Sequence, residues 1–201
     1  MADEEEDHHE TPDMSEVYTL PHQHIHFSDF NDKGGMILDI GGGGEGIVGI
    51  FKGQKVVAID RNKRELMGTK NAALKIVMDA KELKFLDDSF DTATVFFSFM
   101  YMPEEDLESV MAELWRVLNP GGELLIWDAI VEVPKEELVK KYFLVMMTVH
   151  FPDGSKVEAG YGHFLKNQGA EMFLKPAEKI GFNVLEKSED ECTIFARLQK
   201  P

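Results

Sequence analysis

The sequence predicts an α/β sandwich of three layers: a mostly parallel sheet with helices on both faces, ending in an antiparallel strand. Three observations predict it. Short apolar strands alternate with helical stretches through the first 130 residues, and such alternation needs right-handed crossovers and a parallel sheet. A glycine-rich turn follows the first of these strands, where such sheets place a ligand crevice. The last two strands, 182–187 and 192–198, are separated by only four residues, too few for a helical crossover, so they run antiparallel. With 201 residues and 43% apolar content, residues 14–201 form one domain with a sizeable core.

The elements follow in order. The segment 14–35 reads as short and irregular, with Pro21 and a turn before the first strand. Met36-Ile37-Leu38-Asp39-Ile40 is that strand, and a helix over 45–52 follows the glycines. Residues 55–60 form the second strand, 62–70 a short helix and 74–78 the third strand, ending at Asp79. Asp87-Asp88-Ser89 supplies turn chemistry. Residues 91–97 are nearly all apolar or threonine, as in a strand buried on both faces. Pro103 with Glu104, Glu105 and Asp106 starts a helix, and Leu107, Val110, Met111, Leu114, Val117 and Leu118 give it one buried face. Asn119-Pro120-Gly121-Gly122 stops that helix before a fifth strand at 123–129. A helix is expected near 134–142. A β-hairpin insertion follows, with strands 144–151 and 156–161 around Pro152-Asp153-Gly154-Ser155, and then a helix over 168–180 closed by Gly181.

Charge and cysteine content exclude several classes. The net charge is −16, and residues 1–13 hold seven acids without a Lys or Arg, which predicts a disordered acidic tail. So acidic a chain, with no basic cluster interleaved with aromatics, is unsuited to nucleic acid. No apolar run reaches the roughly 20 residues that span a bilayer, and the acidic start is unlike a secretory signal. Cys192 is the single cysteine, so no internal disulfide forms. A cytoplasmic location is the default expectation.

Chemistry concentrates in residues 36–49. Gly41, Gly43 and Gly46 have the spacing of a turn that lets a ligand approach the backbone. Val56-Val57-Ala58-Ile59-Asp60 ends in an acid 19 residues after Gly41, where ribose hydroxyls need an acceptor. Asp39, two residues before the first glycine, suits a ligand bearing an ammonium group. Together they point to S-adenosyl-L-methionine.

Four stretches resemble the class I S-adenosylmethionine-dependent methyltransferases, in particular the methyltransferase type 11 pattern: 37–46, 56–60, Met78-Asp79-Ala80 with Ser89-Phe90-Asp91, and Arg116-Val117-Leu118-Asn119-Pro120-Gly121-Gly122. The resemblance implies a Rossmann-like fold and direct in-line methyl transfer to a small-molecule acceptor. It places Asp39 and Gly41 by the methionine end, Gly43 under the sugar, and Asp60 on the ribose hydroxyls. Asp79 would take the adenine amino group, the Ala80 N–H a ring nitrogen, and Phe97 and Ser98 would lie beside the sulfonium. One departure stands out: Glu45 occupies the place of the family's third glycine, with Gly46 one residue later.

The acceptor side is less legible, because an activated methyl group asks little of the protein beyond alignment. Tyr101 and Asp128, beyond the fourth and fifth strands, are candidate catalytic or acceptor-contacting residues, with packing and edge polarity as rival readings. His22, His24 and His26 alternate and would share a face if extended. His24, His26, His150 and His163 are candidate acid–base groups; a metal role lacks a clear ligand set, and none is assigned. Segments 14–30 and 143–165 are free of the core pattern and are the candidate lid, with Tyr18, His24, His26, His150, Tyr161 or His163 facing the methyl group. The hairpin edge has an alternative use in pairing two subunits into a homodimer. A nicotinamide-dependent oxidoreductase is a rival reading that Asp39, Asp79 and the antiparallel ending oppose; a non-catalytic S-adenosylmethionine-binding protein is another.

Overall fold

The computed structural model describes residues 12–27 and 34–201; most of the acidic tail, 1–11, and the stretch 28–33 lie outside the described residues. In chain order the elements are β1 (Val17–Thr19), β2 (Gln23–His26), β3 (Ile37–Ile40), α1 (Ile47–Lys52), β4 (Val56–Asp60), α2 (Lys63–Gly68), β5 (Leu74–Val77), β6 (Phe90–Phe96), α3 (Leu107–Val117), β7 (Leu118–Ala129), β8 (Tyr142–His150), β9 (Lys156–Phe164), α4 (Glu171–Ile180), β10 (Asn183–Asp190) and β11 (Thr193–Gln199). Seven strands form the central sheet in the order β10-β11-β7-β6-β3-β4-β5. β3 to β7 are parallel, and β11 runs antiparallel to both β7 and β10.

One face of this sheet is covered by α3 and α4, with Leu107, Met111 and Leu114 packed near Phe173 and Ala177 over Ile40, Val95 and Ile126. Arg116, at the end of α3, ties down the loop after β5: its guanidinium donates to the carbonyls of Leu83 (2.8 Å) and Phe85 (2.9 Å) and to Asp87 (2.7 Å). The opposite face has α1 and α2 at its β4–β5 end. Over β6, β7 and β11 a second, smaller sheet takes the place of helices. In it β8 pairs antiparallel with β9 on one side, and parallel with β1 and then β2 on the other. Its inner side chains, Phe143, Val145, Met147 and Val149, join Phe96, Leu125 and Trp127 in one apolar layer.

This arrangement corrects two sequence expectations. The segment 14–35 is not irregular throughout, because 17–27 forms one edge of β8, interrupted at Pro21, which lacks an N–H for the ladder. The ladder resumes around it, with Leu20 N donating to Leu144 O (2.8 Å) and Phe27 N to His150 O (3.1 Å). The helix expected near 134–142 is reduced to a 3-10 turn over Lys135–Glu137. Leu138 and Val139 are 64% and 84% exposed, so a helix there has no buried face, and Tyr142 is drawn into pairing with Val17 and Phe164. None of the helices among the described residues is long and apolar enough to cross a membrane.

Phe27 closes the layer between the sheets. It is 1% exposed, and its ring lies 5.1 Å from Trp127, 5.4 Å from Phe51 and 5.7 Å from both Phe96 and Phe151. Phe27→Ala is expected to lower stability by about 3–5 kcal/mol, read from the urea unfolding midpoint and slope.

β2 alternates buried Gln23 and Ile25 with exposed His24 and His26. Register with β8 brings His26 opposite His150, stacked at 4.5 Å, and His24 Nδ1 lies 3.1 Å from His150 Nε2. His22 meets the Thr148 hydroxyl at 2.9 Å. No group of three or more His, Cys, Asp or Glu among the described residues is arranged to hold a metal ion. Burial, then the neighbouring His26, His24 and Lys156, push the His150 imidazole below its ordinary range against the pull of Glu158. The folded state therefore binds this proton less well than the unfolded chain. The stability involved is present above the unfolded value of about 6.5 and is lost as pH falls through it. The thermal midpoint of the wild type should drop more steeply between about pH 7 and about pH 5 than that of His150→Gln; equal slopes would contradict this.

Candidate functional site

The crevice lies beyond the carboxyl ends of β3, β4, β5 and β6. β3 ends at Ile40, and residues 41–46 turn back over β4, with Gly42 N donating to Ile59 O (3.0 Å) and Gly46 N to Gly43 O (3.0 Å). Gly41 has φ +69°, and a Cβ there would strike the Ser98 hydroxyl. At Gly43 a Cβ would lie 2.7 Å from Asp60 Oδ2 and 2.6 Å from the Glu65 Cβ. Missing side chains thus bring the turn within contact of β4 and of the segment after β6.

The acids around this turn differ in environment. Asp39 is 2% exposed, and its Oδ1 accepts from the Thr94 hydroxyl at 2.7 Å. Burial pushes its carboxyl up to about 7; Thr94 opposes that rise and the nearby Asp60 adds to it. Asp60 is half-buried and accepts from Asn62 N at 2.8 Å, while Asn62 caps α2 through Arg64 N at 2.9 Å. Asp79 follows β5, accepts from Lys81 N at 2.9 Å and lies 3.9 Å from Arg61 Nε; Ala80 beside it is buried. Phe97, fully buried after β6, has a positive φ of 49°, a strained backbone for a bulky residue at the lip of the crevice. Ser98 donates toward the carbonyls of Phe96 (3.2 Å) and Gly41 (3.3 Å). A backbone cradle, a buried carboxylate at one end and half-buried carboxylates along the rim fit a ligand with a cationic group and a ribose diol.

The second sheet contributes β9 to this crevice. Tyr161 stacks on Phe97 with ring centres 5.2 Å apart at 12°, and the Glu45 carboxylate of the glycine turn is among the charges that act on its hydroxyl. Burial raises the Tyr161 phenol well above its ordinary value, so it stays protonated. Two residues along the same strand face, His163 sits 5.4 Å from the ring of Tyr101, whose hydroxyl accepts from Gly162 N at 3.3 Å. Tyr101 is 45% exposed, and burial of its hydroxyl pushes it up to about 12. Burial, with Lys166 nearby, lowers the His163 imidazole.

Other sequence candidates fall elsewhere. Asp128 is 0% exposed: Oδ1 accepts from Ala129 N (2.8 Å) and Gln168 Nε2 (3.0 Å), and Oδ2 from Met100 N (3.3 Å). It anchors the turn after β6 and is closed to an acceptor, which corrects its candidacy. His24 and His26 lie on β2, along the edge of β8 away from β9, where they meet His150 at the end of β8, and His24 and His26 border a groove of about 540 Å³ against β7, β10 and β11. They do not join the crevice, a second correction. Tyr18 packs into the layer between the sheets. Glu45 was legible only as a departure from a pattern, and Thr94 carried no signal beyond its strand.

Comparison with known proteins agrees with this geometry. The family description "Methyltransferase domain" matches residues 38–126. A sterol 4-C-methyltransferase of Caenorhabditis elegans is 33% identical over 97 residues, covering 48% of this chain and 28% of that protein. A phosphatidylethanolamine N-methyltransferase of Cereibacter sphaeroides is 34% identical over 106 residues, covering 48% and 51%. A ubiquinone/menaquinone biosynthesis C-methyltransferase of Pseudoalteromonas translucida is 26% identical over 180 residues, covering 83% and 70%. The chain thus spans about half or less of the first two relatives. Among solved structures, an S-adenosylmethionine dependent methyltransferase from Mesorhizobium loti superposes with TM-score 0.56 at 14% identity, covering 85% of this chain and 93% of that one. The glycopeptide N-methyltransferase MtfA, complexed with S-adenosyl-L-homocysteine, does so with TM-score 0.56 at 14% identity and 83% coverage of each; at such identity these two likenesses speak for the fold alone. Residues 38–126 thus match a methyltransferase domain, and with the acid-ended first strand and glycine cradle described above they are similar to the class I S-adenosylmethionine-dependent methyltransferases, whose cofactor is S-adenosyl-L-methionine.

Proposed function

We propose that this protein transfers a methyl group from S-adenosyl-L-methionine to a small, partly apolar acceptor by in-line displacement. The observation that carries the reading is the buried Asp39 carboxylate at the mouth of a glycine turn whose backbone is open to a ligand. In this reading Asp39 and Gly41 hold the methionine end, Gly43 lies under the sugar and Asp60 accepts from the ribose hydroxyls. Asp79 and the Ala80 N–H take the adenine edge; Gly46 closes the turn, and Phe97 and Ser98 flank the sulfonium. The cofactor brings a methyl group already activated for displacement. The protein's part is alignment and exclusion of water.

Segments 14–27 and 143–165 serve as the lid, through β9. The acceptor pocket is bounded by Tyr161, Tyr101 and His163 at the end of β6. Its aromatic walls suit an apolar acceptor, and the names of the relatives, which cite a sterol, a phosphatidylethanolamine and a quinone, support that class. A His163 imidazole held neutral has a lone pair for an acceptor's proton, and the Tyr101 hydroxyl keeps its own proton to donate.

Release of S-adenosylhomocysteine with quinol, sterol or phospholipid acceptors tests the activity; binding of NAD in place of S-adenosylmethionine would overturn it. Asp60→Ala should weaken S-adenosylhomocysteine binding by about 1.5–3 kcal/mol in calorimetry, with little change in thermal midpoint, because a charge-assisted hydrogen bond is lost. An unchanged dissociation constant would remove Asp60 from the ribose. Affinity should also depend on pH through Asp39. Its carboxyl titrates at about 7 in the free protein, and an ammonium partner stabilises the charged form, so binding releases a proton. Affinity is then full above about pH 7 and falls by up to about tenfold per unit below it, while Asp39→Asn flattens the profile.

A further inference from the structure

The turn before β8 has an unusual composition. Lys140 N donates to Glu137 O at 2.9 Å, which makes Leu138 and Val139 the two central residues of a four-residue turn. Such positions favour Gly, Pro, Asn, Asp and Ser, yet here they hold two large apolar side chains, both exposed. The turn is braced on both sides. Lys141 N donates to Glu16 O (2.9 Å), Lys140 Nζ to Ser15 O (2.8 Å) and Leu165 N to Lys141 O (2.8 Å). These bonds join it to the segment Met14–Glu16 and to the end of β9, where Met14 and Phe164 are also exposed. Tyr142, opposite both Val17 and Phe164 in register, stacks on Phe164 with ring centres 5.3 Å apart. Met14, Leu138, Val139 and Phe164 therefore gather at one end of the second sheet, and exposed apolar surface of this kind marks a place of interaction.

Shape, charge and position indicate what meets it. Four side chains on a convex tip offer far less than the about 800 Å² per partner of a stable protein interface, but enough to enter the headgroup boundary of a bilayer. Around the tip Lys135, Lys140, Lys141 and Lys166 stand against Asp13, Glu16, Glu136 and Glu137, an even balance in a chain that carries −16. This is the end of an acidic molecule that a layer of lipid phosphates repels least, and lysine stems can lie along lipid while their ammonium groups reach those phosphates. Aromatic rings behind the tip, at Tyr142 and Phe164, suit the same boundary. Phe164 also lies 5.4 Å from the ring of His163, so the patch adjoins the acceptor pocket.

We propose that this end of the molecule docks on a lipid bilayer, with Leu138 and Val139 entering the headgroup boundary and Phe164 turning the acceptor pocket toward the lipid. The place of that pocket rests on the function proposed above; the docking rests on the exposed residues and is tested without turnover. The full chain is floated with phosphatidylcholine vesicles, and the wild type should rise with them. Leu138→Ser combined with Val139→Ser should weaken this partitioning by about tenfold or more. Thermal midpoint and S-adenosylhomocysteine affinity should stay as in the wild type, because neither side chain packs against the core. Leu86→Ser, at an exposed leucine in the loop after β5, should float like the wild type. A wild-type chain that stays in the buffer overturns the proposal. So does a double variant that floats unchanged, or an equal loss in Leu86→Ser. Self-association of the wild type, read by light scattering and abolished in the double variant, would assign the patch to a second copy and also overturn it. Vesicle binding that is lost with the tip, in a chain that never binds S-adenosylhomocysteine, upholds the docking and overturns the cofactor reading instead.

Discussion

The constraint on which the rest of the structure depends is a bare sheet face. The crossover helices α1 and α2 cover the β4–β5 end, and α3 and α4 cover the opposite face. Phe96, Leu125, Trp127 and Phe195 point from β6, β7 and β11 toward a side that no crossover helix reaches. An apolar surface of that size must be buried, and here β8, inserted after β7, carries β1 and β2 along one edge and β9 along the other. The element that completes the core is thus also the element that lays Tyr161 over Phe97. Core closure and site closure share one sheet, so a change that loosens the Phe27 cluster acts on both.

Two buried carboxylates show how environment separates function from scaffolding. Asp39 and Asp128 both lie at the carboxyl ends of parallel strands, and burial pushes each up to about 7. Asp128 is surrounded by donors: Ala129 N, Met100 N and the Gln168 amide. Its lone pairs are spent on the fold. Asp39 has the Thr94 hydroxyl on Oδ1, and its Oδ2 points at the glycine turn. A buried carboxylate with one oxygen satisfied and the other aimed at a crevice has capacity for a cationic ligand. Position along a strand could not distinguish these two acids; their donors do.

Much of the central sheet was legible because its signals are local. The order from β3 to β7 follows from apolar strands, the proline-started helix and the Asn119–Gly122 stop, and the antiparallel ending follows from one short connection. The second sheet was half legible. Its hairpin has a turn sequence, but β1 and β2 are three and four residues long, rich in His and Gln, and pair with strands more than 120 residues away. No local pattern encodes such a pairing. Residues 134–142 failed for the converse reason, since local helical preference there meets no surface on which to bury Leu138 and Val139. For the histidines, alternation predicted a shared face for His24 and His26 and could not say that this face looks away from the crevice. Glu45 shows the remaining limit: its position in the turn was readable, whereas its influence on Tyr161 of β9 is a tertiary fact.

The charge layout of the crevice bears on turnover as well as on binding. Asp39, Glu45, Asp60, Glu65 and Asp79 all border it, and the cations Arg61 and Lys81 stand at the Asp79 end. If the crevice takes the sulfonium cofactor, it holds a ligand with two positive groups before transfer and one afterward. The field that draws the substrate form in therefore holds the product form less strongly, because the sulfonium charge disappears with the methyl group. The difference is largest where water is excluded, under Tyr161 and the end of β6, and smallest at the exposed adenine end. On the proposed reading, an acidic crevice closed by an aromatic lid favours binding of the charged cofactor and release of the product that has lost the sulfonium charge through one arrangement of side chains.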